Sequence, residues 1–295
     1  MTTTLSTVLG DGPISRQLKN GDVAISGFEL SFVKVDPIHR AFRRMTRELE
    51  FDVCEMAVVT YLTARQYGIP VTAIPVFPGV SFQHGSIVLN RNLVDSARDL
   101  EGLSIGVRAY TVTPGVWARS ILAEEHGVDL TRVQYVLGDD EHVIEFNQDP
   151  AIPSNLHYRM GADLQQLLAN GKVACGLQVS AGDHMHLQPL YEDPGSAAKA
   201  WYERNNALQL SHLICVHDDV LRVHTDLPDA LVDAFSQARA NHFHTVGEPK
   251  LPWDEPMPIG LEQTGESLEL LMRHAVDQQV LKDRMDIKSL FVGIA

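Results

Sequence analysis

Cysteine is scarce in this chain, and positive charge is scarcer than negative. The three cysteines, Cys54, Cys175 and Cys215, form no CxxC pair in 295 residues. Neither a disulfide framework nor a zinc cluster is suggested, and reduced, buried thiols are expected. Lys and Arg number 24 against 38 Asp and Glu, a formal charge of -14. That field disfavours nucleic acid and anionic membrane surfaces as partners, and an anionic small molecule needs a locally basic pocket against it. No apolar run reaches the ~18 residues of a spanning helix. The opening "MTTTLSTVLGDG" has no cationic leader ahead of an apolar core, so a cytoplasmic location is expected. GxGxxG, Walker, GxSxG and HExxH motifs are absent, which argues against nucleotide binding and the commonest hydrolase chemistries.

What is present is a regular alternation of short apolar runs with longer amphipathic stretches. "TLSTVLGD", "FELSFVKV", "FDVCEM", "VTAIPVF", "GSIVLN", "LSIGVRAY", "VQYVLG", "VACGLQV" and "SHLICVH" read as strands. "SRQLKNG", "IHRAFRRMTREL", "AVVTYLTARQYG", "ADLQQLLANG", "DLPDALVDAFSQARANHF" and "ESLELLMRHAVDQQ" read as helices. Thr113 before Pro114 predicts an N-cap followed by a first-turn proline, opening a helix over "VTPGVWARSILAEEHG". Strands alternating with helices argue for an α/β protein, with ligands at the carboxyl ends of strands. The length favours two lobes over one.

Glu55, Arg108 and His84 stand at or near such strand ends. Arg16, Arg44 and Arg108 can grip carboxylates bidentately. Arg108 also precedes a helix N-terminus, whose amides favour an anion. Glu55 lies in a strongly apolar segment where strand gives way to helix, which suits either a proton carrier or a partner for a nearby cation. His84 and His212 adjoin strands and are candidate acids or bases, against the plainer reading of packed histidines. Asp183, His184 and His186 in "GDHMHL" could hold a divalent metal if HxH lies on a strand, where both rings share a face. With 13 histidines, chance pairs are common. Phe42, Tyr110 and Trp117 could wall a flat aromatic ligand or pack in a core.

"GDGPISRQLKNG", "FRRM", "EFDVCEMAVVTYLTAR", "AIPVFPGVSFQH", "IGVRAYTVTPGVWARSILAEEHGV", "HLICVHDDVL" and "MPIGLEQTGESLELLMRHAVDQQ" together resemble the 4,5-dihydroxyphthalate decarboxylase family over most of the chain. The run from "EFDV" to "FQH" is the most specific part, and residues from about 140 to 205 depart from the family pattern. The resemblance implies a two-lobed α/β fold of the periplasmic binding protein type II kind, with the ligand cleft between the lobes. Residues 1–96 plus 208–295 would form lobe 1, and 97–207 an inserted lobe 2.

The activity implied is loss of CO2 from a dihydroxylated aromatic carboxylate, foremost 4,5-dihydroxyphthalate to protocatechuate, within aromatic catabolism and phthalate degradation. The matched residues Arg16, Phe42, Arg44, Arg108, Thr113 and Trp117 would bind the substrate. Glu55, His84 and His212 would be catalytic. No organic cofactor is required by this chemistry, and a metal on Asp183, His184 and His186 is the alternative. The implied partner is a small anionic aromatic substrate, with a homo-oligomer left open. Two other readings share the fold: a solute-binding protein for a small anion, and a carbon–sulfur lyase acting on an aromatic sulfinate. The latter needs a nucleophilic cysteine, and Cys54 points away from its strand neighbour Glu55.

Overall fold

A computed structural model describes residues 2–293. In chain order the strands are β1 (Thr3–Val8), β2 (Phe28–Phe32), β3 (Val53–Ala57), β4 (Val71–Ile74), β5 (Ile87–Asn90), β6 (Ser104–Val107), β7 (Gln134–Leu137), β8 (Leu156–Tyr158), β9 (Cys175–Leu177), β10 (Leu187–Pro189) and β11 (His212–His217). The helices are α1 (Pro13–Asn20), α2 (His39–Glu48), α3 (Val58–Gln66), α4 (Thr113–His126), α5 (Ile144–Gln148), α6 (Leu164–Ala169), α7 (Pro194–Asn205), α8 (Asp218–Val223), α9 (Leu227–Val246), α10 (Leu261–Asp277) and α11 (Ile287–Leu290). Among the described residues no helix is long and apolar enough to cross a membrane.

The chain divides into two units. Unit 1 comprises residues 1–81, 210–269 and 284–295, and unit 2 comprises 82–209 and 270–283. These boundaries differ from the expected 1–96 plus 208–295 and 97–207. β5 is hydrogen-bonded to β9 and β10 in the sheet of unit 2, which carries residues from 82 onward with it. The stretch 270–283 belongs there too, because Gln278 accepts a hydrogen bond from Arg119 Nε at 2.7 Å and His274 packs on Trp117.

Unit 1 is built on a five-stranded sheet in the order β2-β1-β3-β11-β4. β2, β1 and β3 run parallel, and β11 is antiparallel to both β3 and β4. Every residue of β3 is buried, as a central strand covered on both faces requires. Leu5, Val53, Ile74, Ile214 and Val216 pack against Leu231, Phe235 and Ala238 of α9. Each large side chain so buried contributes about 1.5–3 kcal/mol. α1 starts at Pro13, where a missing N–H costs nothing, and is closed by Gly21 at φ 77°. Gln17 Nε2 ties it to α9 by donating to the Ala238 carbonyl at 2.8 Å.

Unit 2 has a six-stranded sheet in the order β10-β5-β9-β6-β7-β8. β9, β6, β7 and β8 are parallel; at one side β5 is antiparallel to β9, and β10 is antiparallel to β5. Gly176 on β9 is a forced choice: a Cβ there would lie 2.4 Å from Val179 Cγ2 and 3.1 Å from Leu168 Cδ2. α4 begins one residue earlier than Thr113–Pro114 suggested. Val112 is extended and its carbonyl accepts the first helical hydrogen bond, from Val116 at 3.1 Å, so Val112 is the N-cap and Thr113 the first helical residue. α7 went unread in the sequence, although Asp193 before Pro194 is a start signal; the Asp193 carboxylate accepts from Ser196 N at 3.0 Å.

Candidate active site

The sheet of unit 1 brings two of the three candidate catalytic residues together. Glu55 pairs with Ile214 across the antiparallel β3–β11 ladder, and His212 pairs with Ala57. Side chains two apart share a face, so Glu55 and His212 are diagonal neighbours. His212 Nδ1 lies 2.7 Å from Glu55 Oε1, and Glu55 Oε2 accepts a second hydrogen bond from Gly10 N at 2.7 Å. Each carboxylate oxygen of this buried group therefore has a donor, the condition under which a buried charge is tolerated. A carboxylate only accepts, so Nδ1 carries the hydrogen and Nε2 is the ring nitrogen not engaged by Glu55.

Gly10 is what lets the carboxylate approach. A Cβ there would stand 3.0 Å from Glu55 Oε2 and 3.1 Å from Oε1. Its carbonyl is fixed from the other side, accepting from Ser15 Oγ at 2.7 Å and Lys19 Nζ at 3.1 Å. Phe42 of α2 holds the opposite flank, its ring edge-on to the His212 ring at 5.1 Å. The pair lines a cavity of about 340 Å³ whose other walls include Leu9, Ile14, Ile214, Phe235 and Met257. That size and apolar lining, with a few convergent polar groups, suit a small aromatic molecule.

Arg16 and Arg44 are each met by a carboxylate of the protein. Arg16 binds Asp11 through Nε at 3.2 Å and Nη2 at 3.0 Å, and this guanidinium holds the Asp11 carboxyl below the usual range. Asp11 itself lines the cavity. Arg44 is paired bidentately with Glu50 and lies over the Phe51 ring.

The remaining candidates lie in unit 2. His84 is fully buried, packed against Tyr191 and Trp201, and burial pushes its imidazole below the usual range. Its Nε2 is 3.7 Å from Glu125, too long for a hydrogen bond, because that carboxylate is taken by Tyr191 and Arg204. Trp117 is likewise a core side chain, edge-on to Trp201 and to His274 at 5.7 Å each, rather than a wall. Tyr110 is buried under the Arg119 guanidinium, 4.0 Å from its ring centre. Arg108 follows β6 with its guanidinium 3.4 Å from His142 Nε2 and 3.6 Å from Asp139.

Thr113 is buried at the start of α4, and the amides leading into that helix already have an anion. Glu141 accepts from Tyr110 N at 2.7 Å, Thr111 N at 2.8 Å and Thr111 Oγ1 at 2.6 Å. The sequence offered no sign of Glu141, because its partners are some thirty residues away in the chain. Gly10 leaves more of a local sign: it lies in the short link between a strand and a proline-initiated helix.

Asp183, His184 and His186 fall in turns before β10, not on a strand, since Gly182 at φ 55° breaks the extended run. The two rings are 5.6 Å apart, and His186 Nε2 is 3.1 Å from the Ala169 carbonyl. Among the described residues no three or more His, Cys, Asp or Glu side chains are grouped to hold a metal ion. All three cysteines are buried, and desolvation pushes each thiol up, away from the thiolate that nucleophilic chemistry needs.

No family model matches the chain. It is 33% identical over 247 residues to the 4,5-dihydroxyphthalate decarboxylase of Comamonas testosteroni, covering 80% of this chain and 74% of that protein. The same-named protein of Pseudomonas putida is 32% identical over 209 residues, 67% of this chain and 81% of its own length. In structure the chain is similar to the periplasmic aliphatic sulphonate binding protein SsuA from Escherichia coli, with a TM-score of 0.56 at 12% identity over 99% of this chain and 98% of that one. That likeness is one of fold and establishes a periplasmic-binding-protein-like α/β architecture. Sharing about a third of its residues with two such relatives along most of its length, the chain belongs to the 4,5-dihydroxyphthalate decarboxylase family.

Proposed function

We propose that this protein is a carboxy-lyase of aromatic catabolism that converts 4,5-dihydroxyphthalate to protocatechuate and CO2, with His212 as the proton donor. Family membership supports the reaction class. The observation that carries the assignment of residues is the Glu55–His212 pair lining an apolar cavity of about 340 Å³.

Each carboxylate of the substrate is para to a hydroxyl oxygen, whose lone pair feeds electron density to the ring carbon bearing that carboxylate. Protonated His212 delivers the Nε2 proton to this carbon, forming a C–H bond and leaving a neutral imidazole. The ring-to-carboxylate C–C bond then breaks, its electron pair restores the aromatic ring, and CO2 leaves. Water returns the proton to His212. Atoms and charge balance with one proton consumed per CO2 released.

In this scheme Glu55 is a positioning residue. Its carboxylate fixes the ring orientation through Nδ1–H and balances the imidazolium charge, a role that a carboxylate beside histidine fills in many acid–base sites. The apolar walls favour the step as well, because a carboxylate becomes a neutral molecule within them. No step is assigned to a metal.

The test is incubation of purified protein with 4,5-dihydroxyphthalate, with and without chelator, following CO2 and protocatechuate. Stoichiometric release of both is expected. Tight binding without CO2 release would assign the chain to solute capture instead, and loss of activity with chelator would bring in a metal.

A further inference from the structure

A phthalate keeps one carboxylate while losing the other, and the two are on adjacent ring carbons. The cation that holds the retained group must therefore stand next to the proton donor. Among the described residues, neither lysine nor arginine lines the cavity of the Glu55–His212 pair. A second hollow of about 760 Å³ adjoins it in unit 1, sharing Leu9, Gly10, Asp11 and Ile38, and it is lined by Lys19 and Lys34. Lys34 is exposed. Lys19 is three-quarters covered, its side chain 26% accessible, and it is anchored by donating to the Gly10 carbonyl at 3.1 Å.

Gly10 thus stands between the two functions. Its N–H holds the carboxylate that orients His212, and its C=O holds the ammonium of Lys19. An ammonium has three donors, and one is used on Gly10. Asp11, 3.7 Å from Nζ, is engaged bidentately by Arg16, so its hold on Lys19 is loose.

We infer that Lys19 binds the retained carboxylate of the substrate and so sets the preference for an ortho-dicarboxylate over compounds lacking that group. The inference rests on the decarboxylase reading above. Lys19 keeps the same contact before and after ring protonation, so it contributes to binding rather than to the chemical step. The leaving carboxylate, by contrast, would face Leu9, Ile14, Phe235 and Met257, where among the described residues no lysine or arginine resists its conversion to CO2.

The experiment compares wild type, Lys19→Gln and Lys19→Arg for CO2 release from 4,5-dihydroxyphthalate, with inhibition by protocatechuate and by catechol, which lacks a carboxylate. Glutamine removes the charge while keeping a donor for the Gly10 carbonyl. It should raise KM about 10-fold with kcat within about 3-fold, and should abolish the tighter inhibition by protocatechuate over catechol. Arginine should restore most of both. An active wild type with unchanged KM and inhibitor preference in Lys19→Gln overturns the inference alone. So does a fall in kcat with the preference intact, the mark of a merely structural lysine. A wild type that releases no CO2 overturns the decarboxylase reading and this inference with it.

Discussion

In unit 1, His212 Nδ1 lies 2.7 Å from Glu55; in unit 2, His84 Nε2 lies 3.7 Å from Glu125. The residue types are the same, and the surroundings differ. Glu55 takes its donors from His212 and one backbone amide, and the His212 side chain keeps 27% of its surface accessible at a cavity wall. Glu125 is claimed by Arg204 and Tyr191, while His84 is buried among Phe82, Tyr191 and Trp201 with neither ring nitrogen hydrogen-bonded. A histidine beside a glutamate becomes chemistry only where the carboxylate has no stronger partner and the second ring nitrogen has somewhere to send a proton.

The sharpest way to break the comparison is His212→Gln. Loss of a proton donor that acts in the chemical step should lower kcat for CO2 release about 10³-fold while substrate affinity, measured by calorimetry, stays within about 3-fold. A smaller loss, about 10-fold, is expected for Gly10→Ala: the added methyl group meets Glu55 Oε2 at 3.0 Å, so the carboxylate must shift from its place between Gly10 N and His212. Unaltered turnover in either variant would separate the pair from catalysis.

The smallest effect belongs to unit 2. His84→Phe should leave kcat within about 2-fold and stability at neutral pH nearly unchanged, since it replaces two unpartnered nitrogens with an aromatic edge. Its signature is in acid. Burial lowers the His84 imidazole and pushes that of His274 down to about 4 from an ordinary 6.5. Each therefore takes up a proton less readily folded than unfolded, so the unfolded state binds more protons as pH falls below about 6.5, and stability is lost in that direction. Above that pH neither histidine contributes. The variant should lose fewer degrees of Tm between pH 7 and 5 than the wild type, as read by thermal melts. An equal loss would show that burial does not hold the His84 imidazole below its ordinary range.

The strand-to-helix passage from β3 into α3 was legible because five apolar-rich residues run directly into a helical pattern, and Glu55 was conspicuous there as a charge in an apolar stretch. His212 was legible as the polar residue opening an apolar strand. The two could be placed on one face only by the β3–β11 register, which depends on residues more than 150 positions apart and leaves no local trace. The side chains of Trp117, His84 and Thr113 suit a ligand and suit a core equally well in sequence, and packing puts them in the core. The fork geometry of Arg16 and Arg44 suits any carboxylate, and in the fold Asp11 and Glu50 satisfy it. Lys19, three residues beyond Arg16 on α1, has no local signature, because nothing in a helical "RQLK" shows that its lysine is tethered to the loop beside Glu55.

The claim that Glu55 acts through His212, and not on the substrate by itself, is tested most directly by a double-mutant cycle on kcat for CO2 release. Glu55→Gln alone should lower kcat about 10²-fold, and adding it to His212→Gln should cause no further loss, because a positioning group has nothing left to position. Losses that multiply in the double variant would contradict the account and give Glu55 a part in proton transfer of its own.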